Sequence, residues 1–409
     1  MKIAIVGTGI SGLTVAYLLA EEHDVTVFES NDYIGGHTNT VTVELDGREW
    51  SVDTGFIVYN EHNYPNFTKL LATLGVDTQP STMSFSVRCD RTGLEYNGST
   101  IRQLFVQKRN LLRPSFYRMI RDILRFNREA VRLAKESDST PTLGSFLESG
   151  GYSEGFVHHY LVPMGSAIWS VPANQVLEMP TDFFVRFFDN HGMLTVNDRP
   201  EWRVIRGGSK MYVEKLTSAF ANRIRLNTPV SKIVRYDDRV EVDREVFDQV
   251  VLACHSDQAL RILGDATRLE REILGVLPYQ ENEVVLHTDT SLLPRARKAW
   301  AAWNYLMPPG SKDAVKLTYD MNVLQSLAAP HTFCVSLNAT ELIDPSKILF
   351  STRYHHPIYT VAGTEAQQRH EEISGQNRTH YCGAYWGNGF HEDGVNSALA
   401  VGRAFGVSL

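Results

Sequence analysis

The chain opens on a short apolar run, Ile3-Ala4-Ile5-Val6, with the length and continuity that a buried parallel strand needs. Leu13, Ala16, Tyr17, Leu18 and Ala20 then carry a helical pattern, and Val25-Thr26-Val27-Phe28 returns to a strand that ends on Glu29. Alternation on both sides of Asp46-Gly47, in Thr40–Leu45 and Glu49–Val52, predicts a hairpin. Phe85, Val87, Leu94 and Tyr96 predict strands between Thr82 and Ser99. Thr142–Gly151 reads as a short helix stopped by Gly150-Gly151, and Glu283–Thr288 and Ala299–Tyr305 read as further strands.

Between the first strand and the first helix stand Gly7, Gly9 and Gly12, in G-x-G-x-x-G spacing. Gly7 permits the tight turn, Gly9 lets a pyrophosphate reach bare backbone, and Gly12 lets the helix lie against the strand. Ile10 and Ser11 then open a helix whose unpaired N–H groups and dipole favour phosphate. Glu29, with Ser30 beside it, falls about 20 residues beyond the glycines, where an acid bonds a ribose hydroxyl and disfavours a 2′-phosphate. The glycine spacing alone is common. Strand, helix and acid in the right order make it a dinucleotide site.

Tyr33-Ile34-Gly35-Gly36-His37-Thr38 follows at once and resembles the second glycine pair of the flavin amine oxidase superfamily, which includes phytoene desaturases and protoporphyrinogen oxidase. Within it the chain is most similar to bacterial amine-oxidase-like flavoproteins described as NAD/FAD-binding. The resemblance implies FAD as the cofactor, with Gly35, Gly36, His37 and Thr38 near its pyrophosphate and ribityl chain. The family usually has arginine after the pair, and this chain has His37. Val52-Asp53-Thr54-Gly55 resembles the family's D-x-G turn beside the isoalloxazine, which implies Thr54, Gly55 and Phe56 at the ring and Tyr59 in the cavity wall. Arg206-Gly207-Gly208-Ser209-Lys210-Met211 with Leu216 resembles its G-G-x-x-x-L crossing. Ile224–Ile233 resembles the next strand, with Val230 at the adenine end, and Val246–Ala253 the last buried strand of that half.

Tyr381–Ala398 resembles the closing motif of the superfamily: a strand, Gly383, a loop over the flavin, then a helix aimed at its N1–C2=O edge. Asp393, Gly394, Val395 and Ser397 are implied contacts, and the N–H groups of Val395 and Asn396 are expected to stabilise negative charge on reduced flavin. Three departures separate the chain from amine oxidases. Ala384 replaces an acid that often bonds a ribityl hydroxyl, and Gly394 stands where the tyrosine of an aromatic cage orients an amine. Asn282 and Glu283 occupy the region of the lysine that holds a water at flavin N5.

At 409 residues two domains are the default. The resemblance implies that they interleave: an FAD-binding domain from 1–80, 200–265 and 376–409, and a substrate domain from 81–199 and 266–375. The expected fold class is α/β, a Rossmann-like FAD-binding domain interleaved with an α+β substrate domain of mixed sheet plus helices. Hydrophobic content of 43% and charged content of 21% describe a globular enzyme, and a net charge of −7 argues against nucleic-acid binding. Cys89, Cys254, Cys334 and Cys382 are scattered, which excludes a redox dithiol or zinc ribbon and suits a reducing cytoplasm. Met1-Lys2 lead straight into a strand, so no signal peptide is expected. No run approaches the ~18 apolar residues of a membrane span.

Lys108–Lys135 departs from the acidic average, with nine basic residues against Asp122 and Glu129. Arg118, Arg121, Arg125, Arg128 and Arg132 share one helical stripe, and Met119, Ile123, Phe126, Ala130 and Leu133 make an apolar one beside it. This is the pattern of a solvated face over a core, and also of a peripheral helix on an anionic membrane, where each cation contributes about 1 kcal/mol. The second reading extends the cytoplasmic expectation to the inner face of a membrane. His158–Ser170 and Pro180–Leu194 are dense in aromatic and small residues and read as walls of an apolar substrate chamber. His158 and His159 have no ligand partner at metal spacing, so no metal is expected.

The candidate site follows. His391 and Glu392 are candidates for proton handling, joined by Tyr385, and Trp386, Tyr59, Trp169, Phe187 and Trp303 are expected to line the substrate pocket. The expected function is an FAD-dependent oxidoreductase taking a hydride from a C–H bond of an apolar substrate, a lipid or acyl chain. An amine oxidase, a flavin-dependent isomerase or mutase and a non-catalytic flavoprotein stand as alternatives.

Overall fold

The computed structural model describes residues 1–136, 141–195, 200–310 and 316–409, without the side chains of 131 and 133–136. Leu133 of the expected apolar stripe and Lys135 of the basic run therefore lie outside the described side chains. One sheet is wholly parallel, in the spatial order Ile224–Arg225, Asp24–Phe28, Lys2–Val6, Gln249–Leu252 and Thr379–Tyr381. Its central strand is buried from Ile3 to Val6, as the continuous apolar run requires. The two strands of its middle, paired Val6 to Leu252, end at Gly7 and Ala253. That edge is where open α/β sheets form their crevice.

The opening helix (Ile10–Leu19) is apolar on nearly all sides because it is covered on nearly all sides. The sheet lies on one side and the closing helix (His391–Ala404) on the other, where Val395, Ala398 and Val401 are buried. Glycine makes this crossing close: a Cβ on Gly394 would stand 2.6 Å from Ile10 Cγ2, and one on Gly402 3.0 Å from Leu18 Cδ1.

A second sheet of seven strands draws on Phe85–Asn97 and on Tyr279–Pro357. It is antiparallel except where Trp303–Met307 runs parallel to Phe85–Cys89. Helices between Pro114 and Asn190 share a core with it, through Val87, Tyr96, Tyr305 and Leu317 on the sheet and Phe126, Phe156 and Phe184 on the helices. The long helix begins at Pro114, later than the basic run does, because Lys108–Leu112 forms a tight turn of its own ahead of the proline. The expected hairpin pairs Asn39–Leu45 with Arg48–Gly55 across Asp46-Gly47, both at positive φ.

A buried ion pair anchors the strand that leads to Gly383. Arg235 bonds both oxygens of Glu270, which also accepts from Tyr381 Oη at 2.6 Å and Thr267 N at 2.7 Å. Burial alone would raise the Glu270 carboxyl, but the bonds from Arg235, Tyr381 and Thr267 bring it down to about 2. Glu270→Ala is expected to cost ~3–5 kcal/mol, since it leaves a buried guanidinium unpaired. Because the folded value lies below that of the unfolded chain, the contribution of the pair is present above about pH 4.5 and is lost as pH falls toward 2. Denaturant midpoints of the two proteins across that window check both statements.

Candidate active site

A cleft of about 830 Å³ opens at the crevice edge of the parallel sheet and runs on between the seven-stranded sheet and the helical layer. At one part of it the chain turns through Gly7 (φ 107°), which stacks on the backbone of Ala253 and Cys254. Gly9 is the N-cap of the opening helix and has no side-chain cap, so the first N–H groups of that helix face the cleft unbonded by any cap. A Cβ on Gly9 would meet nothing within 4 Å, whereas one on Gly12 would sit 2.0 Å from the Gly7 carbonyl oxygen. Gly9 therefore leaves space for a ligand, and Gly12 leaves space for the fold.

Glu29 lines the same region and is 95% buried. Its carboxylate accepts from Thr8 N at 3.0 Å and Asn31 N at 2.9 Å, and from the Thr8 and Ser30 hydroxyls. It thus braces the glycine loop as well as facing the cleft. Gly36 folds back onto Gly9, where its Cβ would lie 3.3 Å from Gly9 Cα, and this brings His37 to the loop. Gly35 donates to Thr8 Oγ1 and Thr38 bonds Tyr212 Oη, so both position the pair from behind.

His37 does not stand alone. It stacks on His356 at 5.3 Å, lies 5.8 Å from His255, and His255 lies 6.3 Å from His355. All four line the cleft. Burial and then the neighbouring imidazoles push His37 well below its ordinary value, and burial pushes His255 and His356 to about 4. Around the cluster stand Asp257 beside His255, Glu281 paired with His355 at 3.3 Å, and Arg261, Arg353 and Tyr354 in the cleft wall. Among the described lining residues Glu29 is the one acid, and there is no lysine.

The Asp53 turn is locked by the bonds its carboxylate accepts from Ser209 N at 2.8 Å and Thr40 Oγ1 at 2.5 Å. Thr54 bonds Tyr354 Oη at 2.8 Å, and Gly55 admits the His37 carbonyl, 2.6 Å from where a Cβ would be. Phe56 follows at φ 51°, and Ser170, at φ 56°, faces the same cleft from the helical layer. Backbone strain of this kind in residues other than glycine concentrates at working sites. Ile168, Trp169, Phe187, Met193, Trp303 and Tyr319 complete an apolar chamber.

A model of the flavin containing amine oxidoreductase family matches residues 10–295. The chain belongs to this family. L-amino-acid oxidase of Mus musculus is 26% identical over 302 residues, which is 68% of this chain and 46% of that protein, so the chain spans about half the length of that relative. Cyclohexylamine oxidase from Brevibacterium oxydans IH-35A superposes with a TM-score of 0.70 at 14% identity over 99% of both chains. A CLA-producing fatty acid isomerase from P. acnes superposes at 0.69 with 16% identity over 98% of both. At these identities the superpositions establish the fold.

Membership brings FAD as the cofactor, and the cleft fits it. The open face of Gly9 and the uncapped helix suit a diphosphate, Glu29 suits a ribose, and Val230 and Ala253 line the cleft on the far side of the glycine loop. Gly7, Gly9, Ile10, Ser11, Glu29, Ser30, Gly36, His37, Thr54, Gly55, Phe56 and Gly383 all line it too.

Other expected residues take different positions. Gly394 and Val395 pack the closing helix on its neighbour, and Val395 falls in the second turn, where N–H groups bond the helix itself. Asp393 accepts from Phe390 N at 2.9 Å as a helix cap, and Ser397 Oγ accepts from Gly383 N at 2.9 Å. Glu392 is not among the described residues that line the cleft; it caps the helix Pro65–Thr73, accepting from Asn66 N at 3.1 Å and Phe67 N at 2.8 Å. His391 lines the cleft but lies between the rings of Phe56 and Phe67, and burial pushes it to about 3. Tyr59 is core, against Tyr64 and Phe67, and Trp386 packs on His370 and Tyr385 away from the cleft. Trp169, Phe187, Trp303 and Tyr385 do line it. The missed residues are Tyr354, His355 and His356 of the strand Ile348–Pro357, together with His255.

Gly9→Ala is expected to cost under ~1 kcal/mol in folding, as its φ of −62° suits alanine, yet to weaken FAD binding about tenfold or more. Gly12→Ala is expected to lose the fold by at least ~3 kcal/mol. Thermal unfolding of the apoprotein and flavin fluorescence titration separate the two. The histidine cluster sets a pH dependence as well. A bound diphosphate raises imidazoles that are otherwise held near 4, so binding takes up protons and affinity rises as pH falls from 8 toward 5, by no more than about tenfold per unit for each proton. A dissociation constant independent of pH over that range would contradict it.

Proposed function

We propose that the protein is an FAD-dependent dehydrogenase of an apolar substrate such as an acyl or other lipid chain. The observation that carries this reading is the make-up of the chamber: aromatic and aliphatic walls and, among the described lining residues, no lysine and no acid beyond Glu29 at the glycine loop. Sites of this make-up bind hydrocarbon and orient it with few polar groups. The flavin, when bound, supplies the acceptor for a hydride.

The walls contribute burial, on the order of 25 cal/mol per Å² of apolar surface, and keep water from the reacting carbon. Trp169 and Phe187 meet at 4.9 Å, and Trp303 stands edge-on to Tyr319 at 5.3 Å, so both faces of the chamber are rigid aromatic pairs. His391, held neutral by burial, presents an uncharged surface there. The net change is loss of a hydride and a proton from neighbouring carbons, with an external acceptor taking the electrons.

An ammonium group would find no carboxylate other than Glu29 among the described lining residues, which argues against a primary amine or an L-amino acid, the substrates that two of the similar proteins carry in their names. The fold hosts oxidation and isomerisation alike and does not decide between them.

Anaerobic mixing of the flavoprotein with acyl compounds, cyclohexylamine and L-amino acids tests the proposal. Acyl compounds are expected to bleach the flavin and the amines to leave it oxidised; bleaching by the amines alone overturns the reading. Conversion of an acyl chain with no bleaching assigns an isomerase instead. Trp303→Ala should raise KM for the bleaching substrate about tenfold while FAD stays bound, the loss of one aromatic contact surface.

A further inference from the structure

We propose that the segment from Ile101 to Arg128 is a docking face for an anionic lipid surface. Eleven large hydrophobic side chains stand exposed in the described chain, and five of them, Ile101, Leu111, Leu112, Tyr117 and Leu124, fall in this one segment. Ile101 is 80% exposed and Leu112 87%, values that a folded chain rarely leaves to water without a use.

Contacts within the segment tie its short helices to the long one. Tyr117 Oη donates to the Leu111 carbonyl at 3.0 Å, and the Phe105 ring, one turn beyond Ile101, meets Phe116 at 5.5 Å and Tyr117 at 5.9 Å. Along the long helix Tyr117, Arg121, Leu124 and Arg128 recur at spacings of four, three and four, so apolar and cationic side chains alternate down one outward stripe. The opposite side of this helix, with Phe116, Met119 and Phe126, is buried in the same core as Trp169 and Phe187. The face is therefore the outer surface of the layer that walls the chamber.

Its charge is one-sided. Residues 101–130 hold eight basic residues against two acids, in a chain of net charge −7. Both acids are engaged inward: Asp122 accepts from Ser153 N at 3.0 Å, and Glu129 from Tyr152 Oη at 2.5 Å. Arg125 also turns in, over the Tyr152 ring at 3.8 Å. Arg102, Lys108, Arg118, Arg121 and Arg128 are exposed, and the nearest carboxylate to any of them among the described residues is Asp122, 3.9 Å from Arg121. Cations that, Arg121 apart, have no carboxylate within ion-pair distance among the described residues, interleaved with exposed leucines, match phosphate headgroups above acyl chains. A solvated face has no use for the leucines, and a nucleic acid has none either. No helix among the described residues is long and apolar enough to cross a membrane, so the contact is peripheral. The proposal stands apart from the redox reading and survives its failure.

The test is co-sedimentation of the flavoprotein with vesicles of mixed phosphatidylglycerol and phosphatidylcholine, beside vesicles of phosphatidylcholine alone. The protein is expected to sediment with the anionic vesicles at low ionic strength, to be released as salt rises, and to ignore the neutral ones. Replacing Arg118, Arg121 and Arg128 together by Gln is expected to weaken binding about a hundredfold, at about fivefold per cation. Ile101→Asp with Leu112→Asp should weaken it also, in protein whose flavin spectrum and thermal midpoint are unchanged. Equal binding to both vesicle types, binding to neither, or undiminished binding by the arginine variant overturns the proposal. So does capture by heparin or RNA from protein that leaves anionic vesicles in the supernatant.

Discussion

The contact on which this molecule turns is the approach of one backbone to another at Gly12 and Gly7. A helix whose third residue touches the carbonyl of the preceding turn lies directly on its strand, and its N-terminus then points across the sheet's edge at the space over Gly9. A methyl group at that contact would lift the helix, and the uncapped N–H groups would no longer face the cleft. Other parts of the cleft are set from this position. Glu29 reaches back to Thr8 because the second strand lies beside the first, and the closing helix crosses at Gly394 because Ile10 and Ser11 are where they are.

The electrostatics of the cleft follow a consistent division. Where a diphosphate belongs there are helix N–H groups and imidazoles, and the one acid among the described lining residues serves the loop itself. Elsewhere the walls carry almost no charge. The family's usual arginine would put a fixed positive charge next to Gly36. The imidazoles of His37, His255 and His356 in its place give a charge that is absent until an anion arrives, which avoids burying an uncompensated cation in the empty cleft.

Much of this was legible from residue order. The glycine spacing, the acid after the second strand and the Gly35-Gly36 pair are local signals, read within about thirty residues of each other. What was not legible depends on distant contacts. Glu392 sits beside His391 in the sequence, but its partners are the N–H groups of Asn66 and Phe67, over three hundred residues away, and nothing in its own neighbourhood reports a helix that needs a cap. Tyr59 and Trp386 were aromatic residues near good motifs, and only packing says which way such rings turn. The strand Ile348–Pro357 carries no motif at all, yet its pairing with Tyr279–His287 sets His355 and His356 in the cleft. The basic helix was visible as a period, whereas the exposed Ile101 and Leu112 just ahead of it belong to no repeat.

The parallel sheet is gathered from the start, the middle and the later part of the given sequence, and its last strand in chain order is Thr379–Tyr381. The glycine loop is made well before this strand, and the edge beside Gln249–Leu252 stays unpaired until Thr379–Tyr381 has been made. The nascent polypeptide must carry that open strand edge through the whole stretch between Leu252 and Thr379, a condition that favours aggregation and slow, non-local closure. A product cut short before Thr379 would keep every residue of the nucleotide loop and still lack the Gly383 turn and the helix that covers it.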